Sequence, residues 1–145
     1  MSKKEASPQG EILQRLFLSS AEITRQLDNS LGAIHGVGLT EFMVLQTLAA
    51  AHNGSLRRID IAESLGRTAS GITRMLMPME KVGLVEKVSS ARDARVSMVK
   101  ISEAGERILE EASASFEQKA GQVLGDLSDK QMASLLECLR LLPGN

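Results

Sequence analysis

The sequence predicts a mainly α-helical fold with one small β-hairpin set inside it, and three observations predict it. Apolar residues recur at three- and four-residue spacings over most of the 145 residues. Only over 84–101 does that spacing give way to a partly alternating, β-branched pattern. Cap-forming residues, Thr68, Ser102 and Ser128, stand directly before periodic segments.

The elements follow in order. Residues 1–10, "MSKKEASPQG", read as a short flexible arm; no apolar run follows them, so they do not read as a secretory leader. After Pro8 and Gly10 a first helical pattern carries Leu13, Leu16, Phe17, Ile23, Leu27 and Leu31, and Gly32, Gly36 and Gly38 break it. Thr40 is the expected cap of a second helix, with Glu41 in its first turn and Phe42, Leu45 and Leu48 inward. "HNGS" at 52–55 is a turn signal. A short third helix, "LRRIDIAESLG", puts Ile59, Ala62 and Leu65 on one face and stops at Gly66.

Thr68 then caps a fourth helix whose stripe is Ile72, Met75, Leu76, Met79 and Val82, ended by Gly83. Pro78 falls inside this stripe. A proline there removes one backbone hydrogen bond, at a cost of roughly 3 kcal/mol. The missing N–H would have donated to the Arg74 carbonyl, so a bend or loosening is expected after the first half of the helix. "LVEKV" (84–88) and "RVSMVKI" (95–101) form an antiparallel hairpin around the polar connector "SSARDA". Ser102 caps a long helix with Ile108, Leu109, Ala112, Phe116, Val123 and Leu124 on its stripe. Ser128 and Gln131 have capping-box form and open a last helix carrying Met132, Leu135, Leu136, Leu139 and Leu142.

The order is therefore α-α-α-α-β-β-α-α, a single domain over 11–145. Its centre, 39–101, is a helix-turn-helix with a hairpin wing. The flanking helices, 11–35 and 102–145, are too long to serve only as covers for that centre. Their wide apolar stripes predict pairing with a second copy, so a C2 homodimer is expected.

Composition narrows the function. Apolar residues make up 43% of the chain but aromatics only 2%, so the core is aliphatic and methionine-rich. The single Cys138 rules out an internal disulfide and suits a reducing, cytoplasmic setting. No apolar run approaches the ~18 residues of a membrane span. Net charge is −1, but residues 57–100 hold nine basic and five acidic residues, while 101–145 hold four and eight. A positive centre between neutral and acidic flanks points to an anionic partner for the centre alone. There is no phosphate-binding glycine loop, metal-ligand spacing or nucleophile–base set, so an enzyme is not expected and no cofactor is implied. His35 and His52 stand apart from any Cys/His cluster, and Cys138 reads as a small hydrophobe of the dimer surface.

In a helix-turn-helix the second helix enters the DNA major groove by its N-terminal residues. Opposite the apolar stripe lie Ser70, Thr73, Arg74, Met77 and Lys81, with Thr68 at the helix start. Ser70 and Thr73 can bond bases or phosphates, and Arg74 can pair with guanine or hold a phosphate. At the wing tip, Arg92 and Arg95 flank Asp93. A narrow minor groove attracts an inserted arginine. Asp93 is too acidic to touch DNA and is expected to orient an arginine by a charge-assisted bond.

Residues 56–109, "LRRIDIAESLGRTASGITRMLMPMEKVGLVEKVSSARDARVSMVKISEAGERIL", resemble the winged helix-turn-helix core of the MarR family of bacterial transcription regulators. The pieces that match are "ITRML…MEKVGLV", the D-x-R of Asp93 and Arg95, and "ISEAG"; "GLTEFMVLQTLA" at 38–49 resembles the preceding helix. The resemblance implies an obligate homodimer on a pseudo-palindromic operator, usually as a repressor. It implies Ser70, Thr73 and Arg74 in the major groove and Arg95 in the minor groove. It also implies release by a small apolar or aromatic anion bound between the dimerisation helices and the DNA-binding lobe.

Three departures from the family pattern matter. Gly71 stands where a larger recognition-helix residue is usual. No cysteine lies near the N-terminus for peroxide sensing. With no Tyr or Trp, an effector pocket would be lined by Leu, Ile, Met and Phe. The alternative readings are a winged-helix protein-interaction module, which would need a neutral or acidic recognition face, and a DNA-binding protein without an effector.

Overall fold

The computed structural model describes residues 4–145. Six helices and a small sheet follow one another as α1 (Pro8–His35), α2 (Leu39–Ala50), β1 (Ser55–Leu56), α3 (Arg58–Leu65), α4 (Ala69–Lys81), β2 (Val85–Ser89), β3 (Ser97–Ile101), α5 (Glu103–Val123) and α6 (Asp129–Arg140). The predicted fold class is borne out: the chain is mainly helical, with six α-helices and a small antiparallel sheet that contains the hairpin.

The sheet differs from the prediction by one strand. Its order is β1-β3-β2, all antiparallel, with Ser55 opposite Lys100 and Leu56 opposite Val99. The turn before β1 needs a left-handed backbone at Asn53 (φ 56°) and Gly54 (φ 65°). A Cβ on Gly54 would also lie 3.0 Å from Ile101 Cγ2, so this "NG" is set by close packing as well as by φ.

One aliphatic core serves α2, α3, α4 and the sheet. Val44, Leu45 and Leu48 meet Ile61, Ala62, Ile72, Leu76 and Met79, with Leu84, Val85, Val99 and Ile101 closing it from the sheet. Among the described residues no polar or charged side chain is buried. A second, smaller core joins this lobe to the long helices: Leu31 of α1, Phe42 of α2 and Ala112 of α5. There Phe42 and Phe116 stack with ring centroids 4.9 Å apart.

The helix ends correct several expectations. Ser7 caps α1, its Oγ accepting the Gly10 N–H at 3.1 Å, so Pro8–Gly10 are a helical turn rather than arm. Residues 1–3 lie outside the described residues. Gly32 does not break α1, which runs on to a left-handed Gly36. Thr40 is not the cap of α2. Gly38 is, with its N–H donated to Glu41 Oε1 at 3.3 Å, while Asp28 Oδ1 accepts the Leu39 N–H at 2.7 Å. In α3 the inward face is Ile61 and Ala62, and Ile59 is 45% exposed.

A compact junction ties the wing to α5. Ser102 caps α5 through the Gly105 N–H (3.0 Å), donates its own N–H to the Leu84 carbonyl (3.1 Å) and its hydroxyl to the Gly83 carbonyl (2.5 Å). A Cβ on Gly105 would lie 2.2 Å from the Leu84 oxygen. The "ISEAG" motif thus has a physical content: a serine with three bonds and a glycine with no room for a side chain.

Candidate nucleic-acid interface

The helix-turn-helix is set by its turn. Gly66 takes the left-handed conformation (φ 61°) that ends α3, and the Arg67 N–H reaches back to the Ala62 carbonyl at 2.9 Å. Thr68 then caps α4, its Oγ1 accepting the Gly71 N–H at 3.0 Å. Two residues therefore fix the crossing of α3 and α4. Arg67 braces them against α2 by donating to Thr40 Oγ1 at 3.3 Å.

Burial fixes which way α4 faces. Ile72, Leu76 and Met79 are at most 3% exposed, so the opposite face, with Ser70, Thr73, Arg74, Met77 and Lys81, looks to solvent. The side chains on that face are not equally free. The Thr73 hydroxyl donates to the Ala69 carbonyl at 3.0 Å, which leaves its lone pairs for a ligand but commits its proton. Thr68 is occupied as the cap, with Ser70 Oγ 3.4 Å from it. Among the described residues, Arg74 and Lys81 have no ion-pair partner.

Pro78 does not end the helix, which continues to Lys81 with Met79 buried behind it. Val82 departs from the predicted stripe. It is the C-cap and is 69% exposed, because the chain turns at Gly83 (φ 84°) before Leu84 re-enters the core.

The wing connector is longer than predicted, 90–96, and carries Arg92, Asp93 and Arg95 between the strands. Asp93 Oδ1 accepts the Arg95 N–H at 3.0 Å and its Nε at 3.2 Å, and Oδ2 faces the same guanidinium at 3.4 Å. The Arg95 backbone N–H first, and then its side chain, hold the Asp93 carboxyl below its ordinary range. Arg95 is 91% exposed at its side chain, so this pair adds little stability. What it does is aim a cation outward from a short loop. The Arg92 N–H donates to Ser90 Oγ at 3.2 Å, and its guanidinium is free of partners among the described residues.

Sequence reasoning missed a cleft of about 380 Å³ between α1, α2 and the helix-turn-helix turn. Thr24, Thr40, Met43, Leu65 and Arg67 line it. It is more polar than the Leu, Ile, Met and Phe lining expected, because the turn that carries Arg67 forms one wall. No periodicity marks such a residue; only its position beside Thr68 could have. Elsewhere, the Nε atom of the half-buried Arg58 is shielded from solvent and has no hydrogen-bond partner. His35 Nε2 lies 2.7 Å from Ser115 Oγ, linking α1 to α5, which fits the structural role expected of it. Cys138 is exposed in the single chain. Among the described residues, no group of three or more His, Cys, Asp or Glu is placed to hold a metal, and no single helix is long and apolar enough to cross a membrane.

Comparison with known proteins converges on this geometry. The MarR family model matches residues 38–97, from the start of α2 to the first residue of β3. The transcriptional repressor MprA of Escherichia coli K12 is 28% identical over 142 residues, covering 97% of this chain and 81% of that protein. The HTH-type transcriptional regulator PrsX of Escherichia coli is 28% identical over 94 residues, 65% of this chain and 56% of that protein. Among solved structures, the MarR family regulator Sco3205 of Streptomyces coelicolor in complex with DNA superposes with a TM-score of 0.83 at 20% identity, over 97% of this chain and 89% of that one. A mutant MarR of Escherichia coli complexed with operator DNA gives 0.80 at 24% identity, over 95% and 100%.

Proposed function

We propose that the chain is a member of the MarR family, as its likeness to that family's model over 38–97 and to MprA supports, and that it is a homodimeric, sequence-specific DNA-binding repressor that a small organic anion releases from its operator. The observation that carries the DNA reading is the outward face of α4. It presents Ser70, Arg74 and Lys81 with no competing carboxylate bonded to them, while Asp93 holds Arg95 extended from the wing. Phosphate contacts from such cations supply affinity, and base-edge contacts from Ser70 and Arg74 supply sequence preference. The cationic face also weighs against a protein-interaction module, which would have no use for unpaired arginines here. Solved DNA complexes of two structural relatives support the same reading.

The dimer rests on surface that a single chain leaves exposed. Leu13 and Phe17 of α1 are 66% and 75% exposed, and Leu136 of α6 is 50% exposed. Large apolar side chains exposed on helices in this number mark an interaction surface, and a second copy related by a two-fold axis covers them most simply. Two recognition helices then meet major grooves about 34 Å apart, one helical turn, which makes the operator pseudo-palindromic.

The release step uses the cleft. An anion held by Arg67 would take that guanidinium from Thr40 and load the turn that caps α4. It shifts the population of lobe positions only by its preference for one of them. Binding to the chain's own upstream DNA should be at least tenfold tighter than to random duplex and should fall steeply with salt. Benzoate is the probe for release, with Arg67→Ala expected to abolish its effect. No preference over random DNA at moderate salt would refute the function; release by benzoate that survives Arg67→Ala would refute the cleft.

A further inference from the structure

On a helical wheel the buried residues of α4, Ile72, Leu76 and Met79, define one direction. Directly opposite stand Arg74 and Lys81, with Ser70 beside them and Met77 on the flank toward Thr73. Met77 thus belongs to the outward face, seven residues after Ser70, three after Arg74 and four before Lys81. It is 65% exposed, an apolar side chain on a polar, cationic surface. It is not a stray core residue, since Met75 and Met79 already face the core on either side of it. Nor does it lie on α1 or α6, where the dimer surface is placed.

Resting on the DNA reading above, we propose that Met77 is a specificity-determining residue that reads a thymine methyl group in each half-site. The major groove offers one apolar handle among its donors and acceptors, the thymine C5 methyl. A polarizable, unbranched thioether is suited to it, because it reaches past shorter neighbours and adapts to small changes in helix placement. The neighbours strengthen the assignment. Thr73 has committed its hydroxyl proton to Ala69, and Gly71 presents no side chain. Readout on α4 therefore divides between Ser70 and Arg74 for polar edges and Met77 for the methyl. Pro78 follows immediately and carries no N–H, and the phosphate-length Lys81 comes one turn on.

The test uses the full chain and the tightest duplex that it selects from a random-sequence library. Each thymine of that duplex is replaced in turn by uracil, which keeps the base pair and removes only the methyl. At one thymine per half-site the replacement should weaken wild-type binding about fourfold, the worth of one buried methyl, and about fifteenfold when made in both half-sites. Met77→Ala should be indifferent to that replacement, and Met77→Leu should keep the penalty. Position 77 is exposed, so both variants should melt as the wild type does. If Met77→Ala shows the same penalty as the wild type at every thymine, the inference is overturned while the DNA reading stands. If the chain selects no duplex, the DNA reading fails and takes the inference with it.

Discussion

Gly105→Ala should destabilise the protein although it replaces glycine by the best helix former. Alanine in a helix interior gains about 1 kcal/mol over glycine. Against that, the new Cβ would sit 2.2 Å from the Leu84 carbonyl oxygen and 2.8 Å from Ile101 Cγ1. Both neighbours are anchored, one being backbone and the other buried at 3% exposure. Overpacking of this kind costs about 1–3 kcal/mol. To relieve it, α5 must draw back from β2, which stretches the Ser102 bonds to Gly83 and Leu84; losing one costs about 1 kcal/mol more. The net expectation is about 2 kcal/mol, or about 4–8 °C in melting temperature for a chain of this size. Thermal melting followed by circular dichroism, at one fixed protein concentration because a dimer melts concentration-dependently, is the assay. An unchanged or raised melting temperature would falsify the account of the wing–α5 junction.

Four further expectations follow from the geometry. Arg95→Ala should weaken operator binding about ten- to hundredfold, and Asp93→Asn should weaken it less, with folding unaffected in either. Because Asp93 is depressed in the folded state, its support of Arg95 is complete above the ordinary carboxylate range and is lost only as pH falls through the lowered value. Binding measured between about pH 6 and 8 should therefore show no step that depends on Asp93; a step removed by Asp93→Asn contradicts this. Pro78→Ala should stabilise by about 1–2 kcal/mol, by returning an N–H to the Arg74 carbonyl; a loss of stability in urea unfolding would show that the proline is needed where it is. Leu136→Glu should convert a gel-filtration mass of two chains into one; a single-chain mass already in the wild type would remove the dimer.

Much of the fold was legible because burial here is nearly a matter of period. Ile72, Leu76 and Met79 are core, and their spacing says so. Two failures share a cause: apolar identity was read as inward direction. Val82 and Ile59 are apolar and periodic, yet one lies past the helix end and the other on the flank of a short helix. The α2 cap was missed because its partners are the Glu41 carboxylate and Asp28, eleven residues upstream; a glycine cap has no side chain to announce it. Strand β1 is two residues long and carries no alternation to detect. Of the candidate site, the outward residues of α4 and the Asp93–Arg95 pair could be placed by wheel and motif. The cleft at Arg67 could not, since it exists only where three segments distant in sequence meet.

The short strand β1 has an effect out of proportion to its length. By pairing Ser55 and Leu56 with the far end of β3, it joins the chain just before α3 to the chain just after the wing. The helix-turn-helix is thereby closed into a loop whose two ends are hydrogen-bonded to each other. Such a closed segment opens as one cooperative unit rather than fraying from either end. The amides of Leu56, α4 and β3 should therefore share one exchange free energy. That segment then meets the long helices through the small core of Leu31, Phe42 and Ala112.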